Sequence, residues 1–159
     1  MSPPKRQPLN KVLVVGGCGF LGHHVVSLLL EHHPECTVSV MDLHTSVNNF
    51  PGVTYLQGDI TSRESVDSVL SQAKPEVVID TVSPVTGLGA AIYFKVNVDG
   101  TKVLLEAARE KGVRAFVFTS SASVVFDGRS HIINADETAP IASPAMDAYN
   151  ETKVSLWNL

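Results

Sequence analysis

Residues 11–22 read KVLVVGGCGFLG, in which an aliphatic run is followed at once by glycines and then by the start of a helical pattern. The run predicts a buried strand over Val12–Val15. Gly16, Gly19 and Gly22 satisfy the spacing G-x-x-G-x-x-G, and G-x-G-x-x-G is satisfied as well. Glycines let the main chain turn sharply and approach a pyrophosphate, which accepts hydrogen bonds from free N–H groups at the start of a helix. The stretch therefore predicts dinucleotide binding, and a merely tight turn is the alternative.

The composition of the 159 residues is that of one folded domain. Hydrophobic residues make up 44% and charged residues 18%, which excludes a disordered chain, and a chain of this length usually forms one core. Lys and Arg number 12 against 16 Asp and Glu, so the net charge is −4, and no basic stripe is present. Nucleic-acid binding is therefore not expected.

No metal site is predicted from the cysteines and histidines. Cys18 and Cys36 form no CxxC pair, which also favours a reducing, cytoplasmic environment over a disulfide framework. Adjacent side chains on a helix point about 100° apart, so neither histidine pair is expected to share a metal ion: His23-His24 and His32-His33.

The N-terminus resembles neither a signal peptide nor an anchor. Residues 1–10 contain three prolines and two basic residues and are expected to be flexible. An apolar run long enough for a membrane-spanning helix is found nowhere in the sequence. We therefore expect neither a signal peptide nor a spanning segment.

Beyond the glycine loop, strand-like runs alternate with stretches of helical period, a pattern typical of βαβ units around a parallel sheet. Residues 11–159 are therefore predicted to form an α/β domain with a Rossmann-type doubly wound parallel sheet. Strands are predicted over Val12–Val15, Thr37–Met41, Val53–Gln57, Glu76–Val82 and Arg114–Thr119. Helices are predicted from the glycine loop to Pro34, from a T-x-x-E capping box at Thr61 and Glu64 to Pro75, over about Ala90–Lys111 with Gly112 as its end, and from Ala148, after a surface loop over 127–146.

Two acidic residues follow predicted strands at the edge where a dinucleotide would lie. Asp42 comes 20 residues after Gly22, where a carboxylate accepts hydrogen bonds from a ribose 2′-hydroxyl and repels a 2′-phosphate. This favours NAD over NADP, although a protonated His44 would soften the repulsion; the alternative is that Asp42 caps the following turn. Asp59 is expected either to reach the adenine amino group or to be a simple turn acid.

A second motif, YNETK at 149–153, places Tyr149 and Lys153 four residues apart on one face of the last predicted helix. A nearby cation favours the phenolate and lowers the pKa of the phenol, so the pair has the chemistry of a general base. Upstream, the fifth strand ends in TSSAS at 119–123, which brings hydroxyls to the carboxyl edge of the sheet. Ligands of doubly wound folds bind at that edge.

Together these segments resemble the extended short-chain dehydrogenase/reductase family and, within it, the 3β-hydroxysteroid dehydrogenase branch. The most similar group in that branch is the fungal sterol-4α-carboxylate 3-dehydrogenases (decarboxylating) of ergosterol synthesis. The resemblance runs from Val12 to Lys153 and rests on the segments VLVVGGCGFLGHHVV, GDIT, YFKVNVDGTKVLLEAAR, FVFTSSASVVFDG, INADET and YNETK.

The resemblance implies a role for each matching residue. Tyr149 would be the base, Lys153 would bind the nicotinamide ribose and lower the pKa of Tyr149, and Ser121, with Ser120 as the fallback, would orient the substrate. Asn97 would lie near the proton relay, or would instead be a buried helix residue that bonds the backbone. The cofactor-binding residues would be Gly16, Gly19, Phe20, Leu21, Gly22, Asp42, Asp59 and Lys153.

The implied reaction is the NAD(P)-dependent oxidation of the 3β-hydroxyl of a 4α-carboxysterol, with loss of carbon dioxide. The implied partner is a small-molecule sterol, and the resemblance suggests work at the surface of the endoplasmic reticulum, with peripheral membrane association and homo-oligomer formation left open. Two alternatives use the same motifs: a noncatalytic dinucleotide-binding module, and a fragment of a nucleotide-sugar epimerase or dehydratase.

Members of this family are commonly much longer, with a C-terminal half that forms the substrate pocket. We therefore expect the domain to be incomplete and truncated before that part. The fifth strand, with Phe116 and Phe118, would then be an exposed edge prone to pairing and aggregation. A short last helix would hold the Tyr149–Lys153 pair poorly, so weak cofactor binding and little turnover are expected of the 159 residues alone.

Overall fold

The strands are short aliphatic runs, and they pair in parallel in the order β3-β2-β1-β4-β5. This computed structural model describes residues 8–129 and 131–156; most of the expected flexible N-terminus and the last three residues of the predicted domain lie outside these ranges. In register, Val14 of the first strand faces Val40 on one side and Ile79 on the other. The strands are β1 (Lys11–Val15), β2 (Thr37–Asp42), β3 (Thr54–Gln57), β4 (Val77–Asp80) and β5 (Ala115–Phe118).

Helices connect the strands and cover both faces of the sheet, which confirms the predicted doubly wound α/β fold. They are α1 (Phe20–His32), α2 (Arg63–Ala73), α3 (Ala90–Tyr93), a π-helical segment (Phe94–Gly100), α4 (Thr101–Glu110), a 3₁₀ turn (Ala122–Val125) and α5 (Ala148–Ser155). No helix within residues 8–129 and 131–156 is long and apolar enough to cross a membrane.

Side-chain alternation along the strands creates two cores, one on each face. On β1, Leu13 and Val15 point into a core beneath α2 and α4, whereas Val12 and Val14 point into the core beneath α1. The first core also contains Met41, Ile60, Val66, Val69, Leu70, Val78, Leu104, Ala107 and Ala108. Since β1 is buried on both faces, its carboxyl end is held firmly, and the glycine loop starts from that end.

The predicted capping box at the start of α2 is wrong. Ser62 is the N-cap, and its hydroxyl accepts a hydrogen bond from the Ser65 N–H at 3.3 Å. The Thr61 hydroxyl instead donates to Asp59 Oδ1 at 2.8 Å. Because the Thr61 hydroxyl is bonded to Asp59, it does not cap the helix. The next residue, Ser62, takes the N-cap position instead.

Most strand ends lie within one residue of the sequence-based expectation, and two features differ by more. The fourth strand ends at Asp80, two residues early, because the Asp80 carboxylate accepts a hydrogen bond from the Val82 N–H at 3.0 Å and so forms a turn. The long predicted helix is interrupted by the π-helical segment. Its end is as predicted: Gly112, with φ of +76°, follows the cap residue Lys111.

Strand order fixes where a ligand would bind. The chain starts at β1 in the middle of the sheet, builds outward through β2 and β3, then returns to the other side of β1 with β4 and β5. Ligands of such sheets bind at the carboxyl ends of the strands, at this reversal point. Among the described residues β5 is an edge strand, as expected, and Val117 at its centre is 49% exposed.

Candidate active site

The glycine loop joins β1 to α1 with a backbone that leaves no room for a Cβ at Gly16, Gly17 or Gly22. Gly16 has φ of +80°, and a Cβ on Gly22 would overlap the carbonyl oxygen of Gly16. The Gly19 N–H donates to that same carbonyl at 3.1 Å, and α1 begins at Phe20 without a side-chain cap. The N–H groups of the first helical turn, which includes Leu21, have no partner inside the helix. The loop therefore offers main-chain donors to an anion.

A cleft of about 350 Å³ opens beside this loop at the carboxyl ends of β1, β2 and β3. It contains the two acids singled out from the sequence and extends to the segment after β4. Its lining includes Gly16, Gly19, Asp42, His44, Asp59 and Thr81.

Asp42 ends β2 and lines this cleft. Its Oδ2 accepts a hydrogen bond from the Cys18 N–H at 3.0 Å, and its Oδ1 accepts one from the His44 N–H at 3.2 Å. The second bond is the turn cap considered as the alternative, and the first ties β2 to the glycine loop. Contact with a ribose stays a prediction.

Asp59 is half-buried in the loop after β3. Its Oδ1 accepts hydrogen bonds from both the N–H and the hydroxyl of Thr61, each at 2.8 Å. This is the geometry of a turn acid, one of the two roles expected. The carboxylate also lines the cleft, so an adenine contact stays a prediction.

Asn48 joins the loop after β2 to the glycine loop through hydrogen bonds. The sequence pattern did not predict this role. Its side-chain Nδ2 donates to the Cys18 carbonyl at 2.7 Å, and its own carbonyl lies 3.1 Å from His23 Nδ1. The His23 ring stacks on Phe50 with centroids 4.5 Å apart. Asn48 has φ of +56°, a conformation that asparagine tolerates better than most residues. An asparagine in a loop gives no sequence signal for this contact.

The YNETK motif lies on α5, whose N-cap Asp147 accepts a hydrogen bond from the Asn150 N–H at 2.8 Å. Tyr149 is half-buried and Lys153 is only 3% exposed. The Lys153 Nζ lies 5.9 Å from the centroid of the Tyr149 ring. The two side chains therefore share one face of the helix, as the four-residue spacing predicts.

The Lys153 ammonium is buried at the end of β5. Its Nζ donates to the Thr119 carbonyl at 3.0 Å and lies 4.7 Å from the centroid of the Phe118 ring. Burial lowers the pKa of Lys153, and the negative charge of Asp80 acts in the opposite direction. An ammonium beside Tyr149 favours the phenolate form, so the chemistry of this corner depends on the charge of Lys153.

Ser121 caps the 3₁₀ turn that follows β5. Its Oγ accepts a hydrogen bond from the Ser123 N–H at 3.2 Å, and the two hydroxyl oxygens are 2.7 Å apart. The 3₁₀ turn packs against α5, which brings this hydroxyl to the side of the sheet that holds Tyr149. Ser120 and Ser121 line the same shallow pocket, so the choice between them stays a prediction.

Asn97 lies in the π-helical segment and is 1% exposed. Its Nδ2 donates to the Thr152 hydroxyl at 3.0 Å, so the alternative that it bonds the backbone is wrong: the partner is a side chain on α5. Its Oδ1 is buried without a partner among the described residues. A place near a proton relay stays a prediction.

The fold thus places the predicted site residues along one edge of the sheet, in two groups. The glycine loop, Asp42 and Asp59 surround the cleft on the β1–β3 side, while Tyr149 and Lys153 lie by the ends of β4 and β5. The end of β4 and the segment after it lie between the two groups. Thr81 and Ser83 line the cleft, and the Asp80 carbonyl binds the N–H of Thr119, whose own carbonyl binds Lys153.

Known proteins match this chain over nearly all of its length. The model of the 3-beta hydroxysteroid dehydrogenase/isomerase family matches residues 13–156. A sterol-4-alpha-carboxylate 3-dehydrogenase, decarboxylating, of Candida albicans is 40% identical over 157 residues, which cover 94% of this chain and 45% of that protein. Its counterpart in Schizosaccharomyces pombe is 43% identical over 92% of this chain and 43% of that protein.

A solved structure shows the same fold. The UDP-glucose 4-epimerase of Thermus thermophilus, in complex with NAD, superposes with a TM-score of 0.83 at 28% identity, over 93% of this chain and 49% of that one. This chain spans less than half the length of the proteins it matches. The family match over residues 13–156, the glycine loop and the Tyr149–Lys153 pair agree, and this chain belongs to the 3-beta hydroxysteroid dehydrogenase/isomerase family.

Proposed function

We propose that this chain carries the cofactor-binding and catalytic residues of an NAD-dependent dehydrogenase that oxidises the 3β-hydroxyl of a 4α-carboxysterol. The observation that carries the proposal is the buried Lys153 ammonium on the same helix face as Tyr149, at the same edge of the sheet as the glycine loop. The relatives named for this reaction are 40% and 43% identical to the chain.

The residues around the glycine loop fit a dinucleotide. The loop presents main-chain donors where side chains would collide, which suits the approach of a pyrophosphate. Asp42 and Asp59 add carboxylates that suit the ribose and adenine ends, and the negative charge of Asp42 favours NAD over NADP. Bound NAD would supply the hydride acceptor of the reaction.

In the proposed mechanism, Tyr149 takes the proton of the 3β-hydroxyl, and Lys153 keeps the phenolate accessible through its positive charge. Ser121 donates a hydrogen bond to the substrate oxygen and orients it. Oxidation at C3 of a 4α-carboxysterol gives a β-keto acid. The new ketone accepts the electron pair released when carbon dioxide leaves, and the resulting enolate takes a proton from water at C4, so the second step needs no further protein base.

The two alternatives account for less of the site. A noncatalytic module gives no reason to bury a lysine ammonium beside a tyrosine, since burying a charge is costly. The epimerase of Thermus thermophilus shares the fold but only 28% of its residues, against 40% for the Candida albicans sterol dehydrogenase. The sterol reaction is therefore the better supported of the two activities.

A sterol substrate also favours a location at a membrane surface for the proposed enzyme. Sterols dissolve in membranes rather than in water, so an enzyme that acts on them would associate peripherally with a membrane such as that of the endoplasmic reticulum. Homo-oligomer formation stays a prediction.

The proposal is tested by two measurements on separate samples. Calorimetry on the 159-residue chain is expected to show NAD binding, weaker than in longer family members. The longest available protein that contains this chain is expected to reduce NAD to NADH when it is given a 3β-hydroxysterol 4α-carboxylate. Carbon dioxide should be released at the same time. Conversion of a UDP-sugar into its epimer or dehydrated product, without turnover of the sterol, would contradict the proposed substrate. The absence of NAD binding to both samples would contradict the proposal as a whole.

Asp42→Asn is expected to raise the ratio of NADP affinity to NAD affinity by about ten-fold or more. The amide keeps an oxygen acceptor for the bond from Cys18, but it removes the charge that repels a 2′-phosphate; hydrogen bonds to charged groups are worth roughly 1.5–3 kcal/mol. Titration with both dinucleotides measures the ratio. Asp59→Asn, in the same cleft, is the matched control and should leave the ratio unchanged; an unchanged ratio in Asp42→Asn would remove Asp42 from selectivity.

A further inference from the structure

Asp80 is a buried carboxylate for which the proposed mechanism has no use. It ends β4, is 1% exposed, and faces Phe118 across the β4–β5 ladder. Its oxygens accept hydrogen bonds from the Val82 N–H at 3.0 Å and from the Thr101 hydroxyl at 3.2 Å. Both donors are neutral, and Asp80 forms no direct ion pair within residues 8–129 and 131–156.

Asp80 and Lys153 are both attached to the end of β5 through one residue. The Thr119 N–H donates to the Asp80 carbonyl at 3.1 Å, and the Thr119 carbonyl accepts from Lys153 Nζ at 3.0 Å. Lys153 also lies over the ring of Phe118, the ladder partner of Asp80. Thr119 is therefore bonded both to the Asp80 backbone and to the Lys153 ammonium. As ladder partners, Asp80 and Phe118 project from the same face of the sheet, and Lys153 lies against Phe118 on that face.

Neither group is stable alone as a buried charge. An ionised carboxylate or ammonium in a low-dielectric interior is costly unless an opposite charge compensates it. Burial raises the pKa of Asp80 and lowers the pKa of Lys153, whereas the charge of each group acts on the other in the opposite direction. A carbonyl such as that of Thr119 solvates the ammonium but supplies no net counter-charge.

We propose that Asp80 is the counter-charge that keeps Lys153 protonated inside the fold, and that it thereby sets the pH range in which Tyr149 serves as the base. The second half of this proposal rests on the proposed function, whereas the first half concerns the folded protein alone. Asp80 would be a positioning residue that acts through Lys153.

The other titratable groups near Lys153 do not replace Asp80. Tyr149 lies on the same helix, and its ring contacts that of Tyr93 on α3, whose hydroxyl donates to the Val85 carbonyl. Neither side chain carries a carboxylate. β5 and the 3₁₀ turn contribute no titratable side chain, and the charged residues on α5 and on the π-helical segment packed against it are exposed: Glu151, Lys95 and Asp99.

The first test measures the Lys153 ammonium directly in ligand-free protein. Carbon-13 labelling of the lysine ε-carbons allows each titration to be followed by NMR, with Lys153→Met to assign the signal. In Asp80→Asn the midpoint of Lys153 is expected to fall by about one pH unit or more, since the compensating charge is lost while burial persists. In the unsubstituted protein the same signal should show a second, smaller step on the acid side, where Asp80 takes up a proton.

Two further variants separate charge from structure. Asp99→Asn removes a carboxylate from an exposed position on the π-helical segment and should leave Lys153 unchanged. Thr101→Val removes a hydroxyl donor from Asp80 but keeps its charge, so the acid step should move to higher pH while the main midpoint stays near its original value. If Asp80→Asn does not fold, the proposal is tested on the other two samples. It is supported if the Lys153 signal of the unsubstituted protein shows the acid step and if that step moves to higher pH in Thr101→Val.

The second test is the pH profile of NAD-dependent sterol oxidation. In Asp80→Asn the alkaline limb, where Lys153 loses its proton, should move to lower pH by the same amount as the NMR midpoint. An unchanged Lys153 midpoint, or a missing acid step, would overturn the proposal even if the enzyme oxidises sterols. If the Lys153 midpoint shifts in Asp80→Asn but the protein oxidises no sterol, Asp80 is still the counter-charge of Lys153. That result would contradict only the proposed function.

Discussion

Tyr149→Phe is expected to lower the rate of sterol oxidation by roughly 10²–10⁴-fold, the usual contribution of a positioned general base, while NAD affinity stays unchanged. The variant removes one oxygen from a half-buried ring that shares a helix face with Lys153. The ring itself remains to pack against Tyr93, so the fold should persist. Single-turnover kinetics with NADH absorbance measure the chemical step, and calorimetry measures cofactor affinity.

Tyr93→Phe is the matched control because it removes the same hydroxyl from the neighbouring ring, 6.1 Å away between centroids. The Tyr93 hydroxyl donates to the Val85 carbonyl at 2.9 Å, and the proposed mechanism gives it no proton to move. We expect a small effect on the rate. A Tyr149→Phe protein that turns over like the parent, or a Tyr93→Phe protein that loses as much activity, would remove Tyr149 from the role of base.

Gly22→Ala is expected to abolish measurable NAD binding and to destabilise the fold. The added Cβ would overlap the Gly16 carbonyl oxygen and lie 2.7 Å from the Gly17 Cα. Both contacts are with backbone, so α1 must move away from the loop, and the donors of its first turn move with it. Overpacking a tight contact costs typically about 1–3 kcal/mol. Urea unfolding gives the loss of stability, and calorimetry gives the loss of affinity.

Gly89→Ala provides the comparison for Gly22→Ala. Gly89 precedes α3 with φ of −67°, a conformation open to any residue, and a Cβ there would meet nothing within 4 Å. We expect stability and NAD affinity near those of the parent. Normal NAD binding by Gly22→Ala would show that the loop does not hold the pyrophosphate.

The parts of the fold that follow from local pattern could be predicted from the sequence. A run such as Val12–Val15 is apolar at every position and is therefore a strand covered on both faces. The glycines after it permit the tight turn into a helix that residues with a Cβ would resist. The i, i+4 spacing of Tyr149 and Lys153 predicts that the two side chains share one helix face. These features depend on neighbours in the chain.

Features that depend on residues far apart in the chain could not be predicted. Asp80 ends an aliphatic strand, but only the fold shows that Lys153, much later in the chain, is buried near the same strand end. Ser62 rather than Thr61 caps α2 because Asp59 competes for the threonine hydroxyl. The fastening of Asn48 to the Cys18 carbonyl likewise joins two loops 30 residues apart.

The π-helical segment lets its helix hold an extra residue. A π-helix has more residues per turn than an α-helix, so the stretch over 94–100 accommodates roughly one more residue while α3 and α4 keep the faces they present to their neighbours. Tyr93 thereby keeps its contact with the ring of Tyr149, and Thr101 keeps its hydrogen bond to Asp80. A single-residue deletion within this stretch should therefore be accommodated, whereas one within α4 would rotate the side chains beyond it by about 100°.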